Sequence, residues 1–308
     1  MQLYLPIAEL PLNLFLLLGM GGAIGFISGL FGVGGGFLLT PLLIFVGVPA
    51  PVAVATSSVH IAASSVTGSL TYWRRRALDL KLGTVLVAGG LVGTVAGVLF
   101  FNQMRKLGHL DLVITVSYVT LLMSVGCLMF VESIGALLER RKGKPAILRQ
   151  AGEHRWYERL PFPMRFHRSK MSTSVIPLVA LGAIIGFIGT VLGIGGGFLV
   201  VPALIYLFRV PTSIVVGTSL FQILLTMIVA TLLHAVFSQA VDVLLAMTLV
   251  VGGVIGAQFG ARTGQALKGE QFRLLLALLI LIVGIRFALD IVGAPQDLYS
   301  INSTALDR

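Results

Sequence analysis

Residues 25–43 read GFISGLFGVGGGFLLTPLL, and residues 186–204 read GFIGTVLGIGGGFLVVPAL. Eleven of the nineteen positions are identical. In each stretch a run of glycines interrupts an apolar segment, and a proline follows a few residues later. The correspondence continues outward. Val48-Pro49 matches Val210-Pro211, Thr56-Ser57 matches Thr218-Ser219, and Asp79 matches Asp242. GGLVGTVAG (89–97) matches GGVIGAQFG (252–260). The chain is a duplication of one unit.

The 308 residues are 56% hydrophobic and only 11% charged, with a mean hydropathy of +0.99. A soluble domain carries about 25% charged residues. So much apolar surface cannot be hidden inside a water-facing globule, which predicts a polytopic membrane protein. Apolar segments run over about 12–30, 36–48, 52–73, 82–101 and 112–130, then 174–191, 197–208, 213–234, 243–261 and 274–292. A helix needs about 20 residues to cross the hydrocarbon, so 36–48 and 197–208 are too short to cross alone. Both directly follow a glycine cluster. The expected fold is all-α, with two inverted repeats of about five helical segments each, eight to ten segments in all.

The net charge of +10 does not point to nucleic acid, because it is concentrated between the copies. Residues 132–172 hold ten of the 22 Lys and Arg against four Glu, as expected of a cytoplasmic loop obeying the positive-inside rule. The expected organisation is a first transmembrane repeat at 1–131, a basic cytoplasmic linker at 132–172 and a second repeat at 173–308. Glu9 stands where a signal peptide would be basic, so the first apolar segment reads as a retained helix. The lone Cys127 excludes an intramolecular disulfide and a cysteine metal cluster.

Charge also bears on orientation. Arg74, Arg75, Arg76 and Lys81 follow the third segment, whereas the equivalent loop in copy two, VFSQAVD (236–242), has no basic residue. Arg262, Lys268 and Arg273 instead follow the ninth segment. Swapped placement is what inversion requires, with Arg105 and Lys106 as dissenters. If the short segments dip in and return, each copy crosses four times and the repeats become parallel.

Glycine-rich loops often cradle phosphate, but here no Lys follows as a P-loop requires, and Phe37 and Phe198 occupy the last glycine position of GxGxxG. Close helix packing explains Gly89, Gly90, Gly93 and Gly97 and their counterparts Gly252, Gly253, Gly256 and Gly260. It explains GVGGG poorly, since three adjacent glycines cannot all face one neighbour and each weakens a helix by about 1 kcal/mol relative to Ala. A helix break fits better. Paired glycine-interrupted short segments in corresponding places of two repeats point to a transporter's binding site. Backbone N–H groups at Gly34, Gly35, Gly36 and Phe37, and at Gly195, Gly196, Gly197 and Phe198, would then open two short helices toward one small anion.

Thr56, Ser57 and Ser58, with Thr218 and Ser219, offer hydroxyls beside that site, although such groups also bond their own helix carbonyls. His60 and its counterpart Gln222 follow one turn later. His60 is a candidate proton-coupling site or a neutral histidine donating to a carbonyl. Arg286 and Asp290, spaced i, i+4, are expected to pair. No Asp or Glu stands at mid-segment, where cation carriers place one, and neither HExxH nor a serine triad appears. The residues call for no cofactor and no metal.

The doubled GxGGGF…P element, the VP…(A/G)TS segment and the GG…G…G helix resemble the TauE/SafE family of sulfite exporters and sulfonate permeases, over residues 12–292. The resemblance implies secondary transport of sulfite, an organosulfonate or a related sulfur-containing anion across the bacterial inner membrane, with the bilayer and a small anion as partners. The alternatives are a membrane-embedded enzyme and an accessory membrane protein working through its linker.

Overall fold

The computed structural model describes residues 2–31, 35–141, 161, 163–166, 168–169, 171–208, 210–263 and 269–292. Gly34, Lys268 and residues 142–160 of the linker lie outside them, as do the side chains of Arg273 and Asp290. The described residues are predominantly helical: α1 Leu14–Phe31, α2 Gly36–Phe45, α3 Ala50–Arg74, α4 Leu80–Lys106, α5 Leu110–Arg141, α6 Val175–Leu192, α7 Gly197–Pro202, α8 Thr212–Leu233, α9 Val243–Thr263 and α10 Gly269–Val292. Among the described residues five helical stretches are long and apolar enough to cross a membrane: Leu80–Lys106, Leu110–Val131, Val175–Leu192, Ile214–Ser238 and Val243–Gly260. This is an all-α, multi-pass membrane protein.

Two short antiparallel hairpins were not expected from the sequence. β1 (Gln2–Leu5) pairs with β2 (Leu10–Asn13) just before α1, and β3 (Pro163–Phe166) pairs with β4 (Met171–Ser174) just before α6. They occupy equivalent places in the two copies, the second at the end of the basic linker.

The chain forms two compact units. One comprises Met1–Ile114 and Pro145–Gly269; the other comprises Thr115–Lys144 and Glu270–Arg308. In the second unit α5 and α10 pack together through the stacked rings of Tyr118 and Phe287, 5.6 Å apart. The first unit holds both hairpins and the remaining eight helices.

Inside the first unit the copies interlock. Gly21, Gly25 and Gly29 of α1 meet the backbone of Leu249, Gly253 and Ala257 of α9, and Gly252, Gly256 and Gly260 meet Leu18, Gly22 and Phe26 in return. Rising numbers pair with rising numbers, so α1 and α9 are parallel. The same seam recurs between α4 and α6, where Gly89, Gly93 and Gly97 meet Val179, Ala183 and Phe187. Four-residue glycine spacing lets membrane helices approach to backbone contact, where dispersion and weak polar contacts replace the missing hydrophobic drive. The stripes in GGLVGTVAG and GGVIGAQFG thus each dock the first helix of the other copy.

The central pair is α3 and α8, which are equivalents of one another. Gly68 of α3 lies against Leu220, whereas Gly217 lies against Tyr72 and Ala77. Ascending residues of one meet descending residues of the other, so α3 and α8 are antiparallel. The loops agree. The Asp79 backbone N–H, just past the end of α3, donates to the Thr218 hydroxyl near the start of α8 (3.1 Å). The Asp242 N–H, past the end of α8, donates to Thr56 near the start of α3 (3.1 Å).

Each of those aspartates also caps a helix and holds a hairpin. Asp242 Oδ1 accepts from the N–H groups of Leu244 and Leu245, opening α9, while Oδ2 accepts from those of Ile7 and Ala8 in the β1–β2 turn. Asp79 Oδ1 accepts from Leu82 N–H, opening α4, while Oδ2 accepts from the N–H and hydroxyl of Ser169 in the β3–β4 turn. Both aspartates are buried, and charge-assisted hydrogen bonds satisfy their carboxylates.

The copies differ by two single-residue insertions, and each is absorbed as a π turn. The offset between copies is 161 residues at Pro41/Pro202, 162 at Val48/Val210 through His60/Gln222, and 163 at Asp79/Asp242. The π turns are Ala203–Leu207 and His234–Ser238, the two places where copy two gains a residue. An extra residue widens one turn of a helix and leaves its flanks in register. Arg105, which dissents from the charge pattern, donates through Nη1 to the Ser238 carbonyl at the end of the second π turn. A cation at a helix C-terminus meets its partial negative charge.

Candidate anion site at the paired helix breaks

The glycine clusters do break the helices. Gly35, the residue before α2, has φ 62°, and Gly196, before α7, has φ 75°. Gly193 and Gly195 are also left-handed, a conformation that a Cβ makes costly. Neither short helix has a side-chain cap. Among the described residues the Gly197 and Phe198 N–H groups have no acceptor, while Leu199 and Val200 donate back to the Gly196 carbonyl. Gly35 lies beside Ile24 and Ser28 of α1 and Gly47 beside Leu10, so α1 and α2 form a hairpin that returns toward its own start, leaving an odd number of longer helices, α3 to α5, in that copy.

The two breaks meet. The rings of Phe37 and Phe198, second residues of α2 and α7, stack with centroids 5.0 Å apart and planes 13° from parallel. Gly36 touches Ile61 of α3 and the Ile194 carbonyl of the opposite loop, and Gly195 lies against Ile61 and Ile223. Thr40 of α2 donates to the Gly193 carbonyl (3.2 Å), tying one copy's short helix to the other copy's loop. Two helix N-termini are thereby packed around a common centre formed by α3 and α8.

The polar residues expected there divide into two groups. Thr56 and Thr218 serve the Asp242 and Asp79 loops, and Thr218 also donates to the Ile214 carbonyl (2.8 Å). Ser58 donates to the Val54 carbonyl and Ser219 to that of Val216. Of these five hydroxyls, only Ser57 is without a hydrogen-bond partner among the described residues. His60 and Gln222 are the other case. Both are buried, and among the described residues neither ring nitrogen of His60 has a partner at full hydrogen-bond geometry, the Gly21 backbone being the nearest, and both amide atoms of Gln222 are unpartnered. Each faces a glycine of the other copy's GG doublet: His60 Nε2 against Gly253, and Gln222 Nε2 3.4 Å from the place a Cβ on Gly90 would occupy. One glycine of each doublet admits a helix and its neighbour makes room for a polar side chain.

Sequence reasoning passed over Ser65, Thr94 and Thr190, whose hydroxyls are also buried and without a partner among the described residues. It also missed His234, the residue aligned with Tyr72. His234 is buried with Nδ1 3.2 Å from Ser238 Oγ, and Ser238 in turn donates to Asn102 (2.9 Å). A lone His in an apolar segment was the available signal. Of the expected Arg286–Asp290 pair, the Asp290 side chain falls outside the described residues.

The family described as Sulfite exporter TauE/SafE matches residues 17–287. The chain belongs to the TauE/SafE family. A probable membrane transporter protein of Xylella fastidiosa (strain 9a5c) is 32% identical over 257 residues, covering 80% of this chain and 84% of that protein. The probable membrane transporter protein YjnA of Bacillus subtilis is 29% identical over 272 residues, covering 87% and 96%. A relative in Methanocaldococcus jannaschii is 21% identical over 294 residues, covering 90% and 96%. No solved structure matches the chain. The family is one of membrane transporters, and the TauE/SafE match spans both glycine breaks and the linker between the copies.

Proposed function

We propose that this TauE/SafE protein is a secondary carrier of a small sulfur-containing anion, sulfite or an organosulfonate, bound where the two helix breaks meet. The observation that carries the reading is the Phe37–Phe198 stack, which sets two uncapped helix N-termini side by side. Each terminus contributes about +0.5 charge, and unwound backbone at membrane depth persists where it lines a site. On α3 and α8, the helices the breaks pack against, Ser57, His60 and Gln222 are buried with unused hydrogen-bonding atoms, His60 against Gly253 and Gln222 against Gly90. Leaving such a group unpaired costs about 1–3 kcal/mol, a standing cost that an anionic ligand would relieve. The buried carboxylates near this region, Asp79 and Asp242, are turned to loop N–H groups and do not repel an anion there.

The proposal includes inversion of the copies about an axis in the membrane plane. Antiparallel packing of the equivalent helices α3 and α8 supports it, as does placement of Arg74–Arg76, Lys81 and Arg262 on one face. That face would be the cytoplasmic side of the bacterial plasma membrane. His60, present in one copy only, is the candidate proton-coupling residue.

The function is tested with purified protein in liposomes, comparing uptake of sulfite, sulfoacetate and sulfate. Protein-dependent uptake of sulfite or sulfoacetate is expected, with mutual competition. Folded protein that moves none of the three would contradict the reading.

A further inference from the structure

A second candidate site lies away from the helix breaks, where α3 ends. Trp73, Arg74, Arg76, Leu78, Leu80 and Arg168 line a surface pocket of about 320 Å³. Three arginines line it from two places in the sequence, the end of the third helix and the β3–β4 turn. Arg168 is fixed by a hydrogen bond from Nη1 to the Leu78 carbonyl (2.8 Å). Arg76 is held at φ 56°, a left-handed conformation unusual for a residue with a Cβ. The nearest carboxylate of that loop, Asp79, is occupied by Ser169 and Leu82. Among the described residues none of the three arginines has a carboxylate partner.

The rest of the lining is apolar, with Leu78 buried at its base and two exposed side chains at its rim. Trp73 is 54% exposed and Leu80 is 42% exposed, at the end of a helix where tryptophan marks the membrane–water boundary. The equivalent loop of copy two carries Val236 and Phe237 where copy one has arginines, so the pocket is not a by-product of the repeat. Arginine forks match phosphate oxygens, and basic pockets at this depth receive phospholipid headgroups.

We propose that this pocket binds a phosphate group, that of an anionic phospholipid headgroup or of a soluble phosphate, with Arg74, Arg76 and Arg168 on its oxygens and Trp73 and Leu80 against the acyl-chain side. The site is independent of the anion site between the helix breaks. It is tested on the delipidated full chain in detergent by following melting temperature against added phosphatidylglycerol, phosphatidylcholine or inorganic phosphate. Phosphatidylglycerol should stabilise at low concentration and phosphatidylcholine should not. In the double variant Arg74→Gln with Arg76→Asn, Asn being tolerant of left-handed backbone, the half-saturating concentration should rise on the order of five-fold per arginine removed. The single variant Arg74→Gln gives the same readout with one step if the double variant does not fold. Arg262→Gln, on an exposed arginine outside the pocket, should respond like wild type. An equal response to inorganic phosphate that the arginine variants weaken keeps the site and assigns it to a soluble ligand. No stabilisation by either phosphate source, or stabilisation that the arginine variants leave unchanged, overturns the proposal.

Discussion

Asp242→Ala is expected to lower the melting temperature in detergent by roughly 10 °C, making it among the most damaging single changes in the chain. The carboxylate receives four backbone N–H groups, from Ile7, Ala8, Leu244 and Leu245. Two belong to the first turn of α9, whose early donors have no partner within the helix. Two belong to the β1–β2 turn, which they tie to copy two. Each orphaned donor costs about 1–3 kcal/mol, and partial rehydration brings the total to about 3–5 kcal/mol. At roughly 2–4 °C per kcal/mol for a protein of this size, a shift near 10 °C follows. Asp79→Ala removes three donors' partner instead of four and should cost somewhat less. Asp242→Asn keeps one acceptor oxygen but turns an NH2 group toward other donors, so it should fall between wild type and alanine. Wild-type melting of Asp242→Ala would show that the carboxylate does not hold the hairpin.

Gln222→Leu should move transport and stability in opposite directions. Both amide atoms of Gln222 are buried and unpartnered, so an apolar side chain of similar size removes an unmet hydrogen-bonding demand. The unliganded protein should gain about 1–2 kcal/mol. If the amide donates to the anion, losing that bond should weaken binding by roughly ten- to a hundred-fold, the equivalent of about 1.5–3 kcal/mol. Ser57→Ala should show the same opposition at smaller amplitude. His60→Gln converts the site to the residue copy two already carries; it should retain binding and flatten the pH dependence of uptake if His60 carries a coupled proton. Anion affinity and melting temperature measured on one preparation decide the matter. A Gln222→Leu protein that is less stable and transports normally would make the amide a packing element.

The segments, the duplication and the glycine breaks were legible because each leaves a local mark: hydropathy, identity at a fixed offset, and adjacent glycines that no helix tolerates cheaply. Even the π turns are visible as steps in the repeat offset, from 161 to 162 to 163. What the glycine stripes pack against was not legible. Gly93 and Gly256 announce a close approach, but only the fold shows that each docks the first helix of the opposite copy. The hairpins were missed because four-residue strands containing Pro11 and Pro163 carry little strand signal.

The matched Thr56 and Thr218 illustrate a different gap. Their recurrence is real, yet both hydroxyls accept from aspartate N–H groups beyond the other copy's helix. Recurrence in a repeat marks a shared role without saying whether that role is structural. Ser57 and Gln222 stand out only once burial and hydrogen bonding are counted.

The central claim is that the copies are inverted, so that their breaks face one another across α3 and α8. Single cysteines introduced at Arg75 and at Gln239 in a Cys127→Ala background test it most directly. Both positions follow equivalent helices, α3 and α8 with its π turn, and Cys127 is the only native cysteine. In intact cells an impermeant thiol reagent should label the cysteine at 239 and not that at 75, with the pattern reversed in inside-out vesicles. Labelling of both from the same face would contradict the inverted arrangement and with it the pairing of the two helix breaks into one site.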